Sequence, residues 1–267
     1  MGSDSTTCAP FVNALVSLPS GVGDSPLLET LLQEPVDDML KGFADTMLRP
    51  QREVDQLVAL NGRPNTYMDP VLKNTLPKYA LFVRRCHVIG ILDFTLQCKS
   101  ELGIFFVKKK HNKLRMILDC RATNLLFKTP PATNLVTGEG LGAIELGIGD
   151  ARDESWASQL KLAFGVADVS DCFHRMVLDR GMSEYFCWPP VLARAVGVEV
   201  VNGVKVGGDE FIWPMQRTLG MGFSWAKIAT WENSKPVSKA GGPDSLAIRA
   251  DRGCCNEDLQ ARPITAT

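Results

Sequence analysis

Three short stretches of the sequence carry residue types that could do chemistry. The first is Asp168-Val169-Ser170-Asp171-Cys172-Phe173, where the apolar run Phe164-Gly165-Val166-Ala167 ends on a carboxylate. A carboxylate closing a buried strand must be paired, protonated or metal-bound, because isolation there costs on the order of several kcal/mol. Asp171, three residues on, indicates that the chain turns into a helix; a plain helix N-terminus with both aspartates favouring the dipole would use the same residues. The second stretch holds Lys108, Lys109, Lys110, Lys113 and Arg115, with Arg121 close behind. Cations on one loop can close on a polyanion, and arginine adds bidentate contact with phosphate oxygens; a solvated lysine-rich turn is the bland alternative. The third is Leu219-Gly220-Met221-Gly222-Phe223-Ser224-Trp225-Ala226. Glycines between a strand and a helix let backbone approach a flat or charged ligand closely, and they also make ordinary tight turns.

The elements that must position these residues follow from periodicity. From residue 25 to about 60, apolar residues recur at helical spacing: Leu27, Leu28, Leu31, Leu32, then Met39, Leu40, Phe43, Met47, Leu48, then Val54, Leu57, Val58. Pro35 and Pro50 divide the run into about three short helices. Further helices are expected at about 69–82 and 83–97. The pattern then switches to short β-rich runs at 103–107 and 114–118, joined by the basic segment 108–113 with His111-Asn112 at its tip, which is a β-hairpin. Residues 164–169 read as a third strand. Asn202-Gly203 centres a hairpin over 198–206, since that pair supplies the positive φ angles of a type I′ turn, and Phe211-Ile212-Trp213 begins another strand. The expected class is α+β, with a loose, disordered leader over 1–25, a helical region over 26–98, a mixed region over 99–231, and a Gly-, Pro- and charge-rich disordered tail over 232–267.

Composition bounds the rest. The 267 residues are 45% hydrophobic and 22% charged, which excludes a disordered or collagen-like chain. A chain of this length buries roughly 70–75% of its unfolded surface, so a core forms without staples. The net charge of −1 excludes a bulk polycation but not a local basic groove. Eight cysteines include no C-x-x-C pair, and His87, His111 and His174 are scattered, which argues against zinc. No apolar leader segment opens the chain, so disulfides and secretion are not expected and the address is intracellular, cytoplasm or nucleus. No run of about 18 apolar residues exists to span a membrane. Met1-Gly2-Ser3-Asp4-Ser5-Thr6 fits the loose myristoylation pattern, without the basic cluster a single acyl chain needs for stable anchoring.

In their order and spacing the three stretches together resemble the reverse transcriptase family. Residues 108–124 resemble the fingers hairpin of retroelement polymerases: a lysine pair, then Leu-Arg-x-Ile-x-Asp-x-Arg-x-x-Asn, followed by Phe127 and Pro130-Pro131. Residues 167–176 are similar to motif A of the palm, and Leu219 to Ala226 to motif B. The likeness covers about residues 65–230. It implies polymerase fingers and an incomplete palm with an antiparallel sheet. Asp168 would be the catalytic, metal-binding carboxylate, holding Mg²⁺ (or Mn²⁺) with the backbone carbonyl of Val169, in chemistry where two ions stabilise an in-line displacement. Phe173 would be the steric gate under the incoming sugar, and Asp171 would lie near the triphosphate through its backbone amide. Arg115, with Lys108 or Lys109, would clamp the triphosphate, and Gly222 would lie against the template-paired base. Asp119, Arg121 and Asn124 look structural, or in the case of Arg121 and Asn124 template-binding. His174 and Arg175 read as ordinary polar positions after the gate. The implied partners are a primer–template nucleic acid and dNTP, with no membrane and no stable protein partner.

The sequence departs from the family in one decisive respect. Motif C, aromatic-x-Asp-Asp, would supply the remaining metal carboxylate after motif B. Downstream of Gly222 the aspartates are Asp244, Asp251 and Asp258, none two positions after an aromatic, and the pair Asp37-Asp38 stands ahead of the fingers. Gly220 also stands where motif B has proline. The expectation is a reverse transcriptase-like protein cut short or shifted in frame near Trp231, which does not polymerise by itself. A non-catalytic nucleic-acid-binding remnant of a retroelement polyprotein is the second reading, and a palm that fails to pack and keeps no function the third.

Overall fold

The computed structural model describes residues 8–32, 36–131 and 170–226. The expected strand over 164–169, with Asp168 and Val169, lies outside the described residues, as do the expected tail over 232–267 and the acylation pattern at the N-terminus. The helical run after residue 25 forms α1 (Leu28–Leu31), α2 (Val36–Lys41), α3 (Phe43–Thr46) and α4 (Gln51–Asn61). The additional break falls at Gly42, which separates α2 from α3. Pro50 precedes α4, and Gly62 ends it at φ +74°, its N–H donating to the Val58 carbonyl.

Asp69 opens α5 (Pro70–Asn74) as a capping residue whose carboxylate accepts from the Val71 and Leu72 amides at 2.8 and 3.2 Å. Next comes α6 (Leu76–Val88), then Gly90 at φ +82° and β1 (Leu92–Thr95). A helix over 83–97 is therefore corrected at its second half. Leu92, Phe94 and Thr95 pack well on a half-buried sheet, and pairing with a strand more than 100 residues away overrides the apparent helical period.

The basic hairpin forms as expected and is longer. β2 (Gly103–Lys109) pairs antiparallel with β3 (Lys113–Asp119), and His111 and Asn112 turn the chain at φ 59° and 54°. α7 (Arg121–Leu126) follows. Beyond residue 170 the described chain forms a 3₁₀ turn over Cys172–Arg175, α8 (Arg180–Ser183), β4 (Val191–Leu192) and α9 (Ala193–Val196). β5 (Val200–Val201) and β6 (Val204–Lys205) close on Asn202-Gly203, both at positive φ, and β7 (Phe211–Gln216) completes the order. β7 lies between β1 and β4 in an antiparallel sheet separate from the β2–β3 ribbon. The class is mixed α and β with small antiparallel sheets. Among the described residues no helix is long and apolar enough to cross a membrane.

Residues 8–25, expected to be loose, are instead packed. The Ala9 amide donates to Phe106 at 2.8 Å on the outer edge of β2, and the Ser17 amide to Leu114 at 2.8 Å on the outer edge of β3. Between these points Phe11 enters the core, 5.0 Å from Phe82 and 5.1 Å from Phe106. Phe11, Val16 and Val22 of this segment are buried, while Val12 is exposed and Leu15 and Leu18 are half-buried, so the apolar residues show no period. Phe82 stacks on Trp188 at 5.7 Å, which joins the ribbon and α6 to the chain leading into β4.

The base of the ribbon is tied to residues 65–69. Asp119, with a side chain 5% exposed, accepts from the Tyr67 amide at 2.7 Å and from Arg121 at 2.8 and 2.6 Å, while Arg121 also donates to the Asn65 carbonyl at 2.9 Å. Burial works to raise the Asp119 carboxyl, but the Arg121 hydrogen bonds and the Tyr67 and Arg121 amides outweigh it and hold the group below the usual carboxylate range. A depressed carboxyl contributes stability above its unfolded pKa, near 4, that is lost as pH falls through the folded value. Asp119→Asn is expected to lower stability at pH 7 and to flatten the acid limb of an unfolding series between about pH 5 and 2. An acid limb identical to that of the parent protein would show that Asp119 does not carry this coupling.

Candidate functional site

The outer edge of β3 is only partly covered, and a cleft opens in the gap. At one end the Ser17 amide takes the Leu114 carbonyl; at the other the Leu118 amide donates to the Met221 carbonyl at 3.2 Å. Strand alternation turns the Met116 N–H and C=O to the same edge, midway between them. The cleft there encloses about 320 Å³. Lys109 and Arg115 line it from the ribbon, Asp171, Phe173 and His174 from the 3₁₀ turn, Gln216 from the end of β7, and Gly220 and Met221 from the loop beyond.

Both faces of the ribbon border the cleft, with Lys109 and Arg115 on one and Met116 and Leu118 on the other. Val107 lies opposite Arg115 and Lys109 opposite Lys113, so Lys109 and Arg115 share one face. Lys108 lies opposite Leu114, on the face that carries Phe106, Met116 and Leu118, and does not line the cleft. Lys109 Nζ donates to Ser17 Oγ at 3.3 Å. Neither Lys109 nor Arg115 has a carboxylate within ion-pair distance among the described residues.

Asp171 sits at φ 53°, a left-handed conformation that aspartate tolerates better than most residues. Its carbonyl accepts the His174 amide at 2.8 Å, closing the turn that brings Phe173 and His174 to the cleft. The glycine loop lies directly on β3. Gly222 is at φ +128°, and a Cβ on it would overlap the Leu118 carbonyl oxygen. Asn124 clasps the same loop: its Nδ2 donates to the Gly222 carbonyl at 3.0 Å and its Oδ1 accepts the Ser224 amide at 2.9 Å. Arg121 and Asn124 thus both make intramolecular ties, and neither lines the cleft. Gly222 acts by letting the loop approach β3, while Gly220 and Met221 face the open space.

Gln216 and its neighbour Thr218 escaped the sequence reading, and His174, read as an ordinary polar position, lines the cleft. Gln216 is fully buried; its Nε2 donates to Thr218 Oγ1 at 2.8 Å, and its Oε1 has no hydrogen-bond partner among the described residues. Thr218 Oγ1 lies 3.4 Å from His174 Nδ1. Burial pushes the His174 imidazole below its ordinary pKa, against the pull of the Asp171 charge, so the ring is neutral at pH 7. A buried amide oxygen without a partner costs about 1–3 kcal/mol, which a ligand donor or a bound water offsets. The available signal was a glutamine closing the apolar run Phe211-Ile212-Trp213-Pro214-Met215, where a polar side chain needs a reason.

Mg²⁺ and Mn²⁺ take hard oxygen ligands. Among the described residues lining the cleft, Asp171 supplies the carboxylate, and no three His, Cys, Asp or Glu side chains converge as a metal group. The residues expected to hold the ion, Asp168 and Val169, lie outside the described residues. No protein-family model matches the sequence, and no curated protein matches it.

Proposed function

We propose that the chain is a reverse transcriptase-like fingers-and-palm body, whose cleft beside β3 takes an incoming deoxynucleoside triphosphate over a primer–template. One observation carries the reading. Three stretches far apart in sequence, around Lys109 and Arg115, around Asp171 and Phe173, and around Gly220 and Met221, line a single cleft. In this assignment Arg115 and Lys109 hold phosphate oxygens through charge-assisted hydrogen bonds. Phe173 lies under the sugar, and the Met116 backbone and the Gln216 amide offer hydrogen bonds to the rest of the nucleotide. Mg²⁺ held by Asp168 and the Val169 carbonyl would neutralise the triphosphate charge when bound.

The absence of an aromatic-x-Asp-Asp after Gly222 favours binding without extension by this chain alone. The test is a primed RNA template supplied with dNTP and Mg²⁺ or Mn²⁺. Expected are saturable dNTP binding and primer–template binding that weakens steeply as salt rises, since phosphate contacts release counterions, with no primer extension. Primer–template binding without dNTP binding would favour the second reading, a non-catalytic nucleic-acid-binding module. Loss of both at low salt would overturn the proposal.

A further inference from the structure

The cleft leaves a different group of reactive side chains unused. Among the described cysteines, Cys98 and Cys187 meet. Cys98 is half-buried in the loop after β1, between exposed Gln97 and Lys99, whereas Cys187 is fully buried ahead of β4. Backbone pairing holds the two segments side by side. The Lys99 amide donates to Glu184 at 2.9 Å, the Cys187 amide to Ser100 at 3.1 Å, and the Leu102 amide to Cys187 at 2.7 Å. Lys99 Nζ pairs with the Glu184 carboxylate at 2.9 Å and lies 4.9 Å from the centre of the Tyr185 ring, so the neighbouring side chains brace the same register. Cys187 Sγ lies 3.3 Å from the Glu184 carbonyl and 4.0 Å from that of Gln97, and the two thiols hydrogen-bond to each other.

We propose that Cys98 and Cys187 form a peroxide-responsive pair that closes to a disulfide. The Cys98 thiolate attacks the O–O bond of hydrogen peroxide or an alkyl hydroperoxide. One oxygen stays on sulfur as the sulfenic acid, and the other leaves, protonated, as water or alcohol. The Cys187 sulfur then displaces the sulfenic oxygen, which departs as water with the Cys187 proton. Two thiols are thereby oxidised by two electrons in all, and one peroxide is reduced.

The environment divides the roles. The hydrogen bond with Cys187 lowers the Cys98 thiol below its ordinary pKa, outweighing the burial that would raise it. The same hydrogen bond, together with burial, raises Cys187, which keeps it a thiol until Cys98 has reacted. The thiolate is the nucleophile, so the accessible, acidified cysteine reacts first and the buried one resolves it. Burial raises the thiols of Cys86, against the Arg85 charge, and of Cys120, together with the Asp119 charge, well above their ordinary value and leaves them unreactive. The disulfide would fix residues 97–102, which lead into β2, to residues 184–187, and so lock the base of the ribbon that carries Lys109 and Arg115.

The test treats the reduced full chain with a few equivalents of hydrogen peroxide, then alkylates, digests and maps the peptides by mass. Expected is a linked pair containing Cys98 and Cys187, lighter than the two free peptides by two hydrogens and released by dithiothreitol. Cys98 should be consumed at least about tenfold faster than the exposed Cys8. In Cys187→Ser the Cys98 sulfenic acid should persist and be trapped by dimedone. In Cys98→Ser, Cys187 should stay reduced. Bridges formed only among other cysteines, or Cys98 reacting no faster than Cys8, would overturn the proposal. Should Cys187→Ser fail to fold, the parent protein and Cys98→Ser decide alone.

Discussion

Replacing Gly222 with alanine is expected to cost about 3 kcal/mol or more of stability and to open the cleft beside β3. Two effects combine. At φ +128° an L side chain is strained, and the new Cβ would overlap the Leu118 carbonyl oxygen, which is backbone and cannot rotate away. Leu118 is also held in place, paired with Ile104 across the ribbon and bonded to Met221 through its own amide. The loop must therefore lift, which breaks the Asn124 clasp on the Gly222 carbonyl and the Ser224 amide. Gly197 supplies the control. It also has positive φ, +72°, but a Cβ there meets nothing within 4 Å, so Gly197→Ala should cost only about 1 kcal/mol. Gly103→Ala separates the steric part, because its added Cβ would overlap the Tyr67 carbonyl and its φ is not left-handed. Urea unfolding of the three variants ranks them. If Gly222→Ala proved as stable as Gly197→Ala, the close approach of the glycine loop to β3 would be wrong.

That loop illustrates how far the sequence could be read. The two hairpins were legible because their signals are local: Asn202-Gly203 and His111-Asn112 adopt the positive φ angles their residue types favour. The glycines around 220 were legible as a place of close backbone approach. What they approach was not, since Leu118 and Asn124 are about a hundred residues away. β1 was misread for the same reason, as the strand it pairs with among the described residues is β7, more than a hundred residues on. Residues 8–25 carry Ser, Gly and Pro at a density that suits a loose chain, and only the tertiary positions of Phe11, Val16 and Val22 make them part of the core. Gln216 shows the limit from the other side. A buried amide becomes informative only once its partners are known, and here they are Thr218 and, through it, His174. The resemblance supplied the three stretches but could not choose between adjacent lysines, because that choice depends on how the end of the ribbon lies against the cleft.

That placement makes the second large prediction sharp. Arg115→Ala should weaken dNTP binding roughly tenfold to a hundredfold, and Lys109→Ala about tenfold, the range that lost charge-assisted hydrogen bonds produce. Lys108→Ala should stay within about twofold, since an exposed cation on the opposite face adds only screened, long-range attraction. The contrast is informative because the two lysines are adjacent and chemically identical. Net charge falls equally in both variants, so a difference between them measures position alone. Salt titration provides a second axis: dNTP binding by the Lys109 and Arg115 variants should depend less steeply on salt than binding by the parent protein, while Lys108→Ala leaves that dependence near the parent's. The Lys109 variant also loses its hydrogen bond to Ser17, and Ser17→Ala distinguishes that contribution by removing the bond while keeping the charge. Ser17→Ala should bind dNTP as the parent does. If it weakened binding as much as Lys109→Ala, the lysine would act by bracing residue 17 against β3; if Lys108→Ala matched Lys109→Ala, the cleft would not be where the phosphates go.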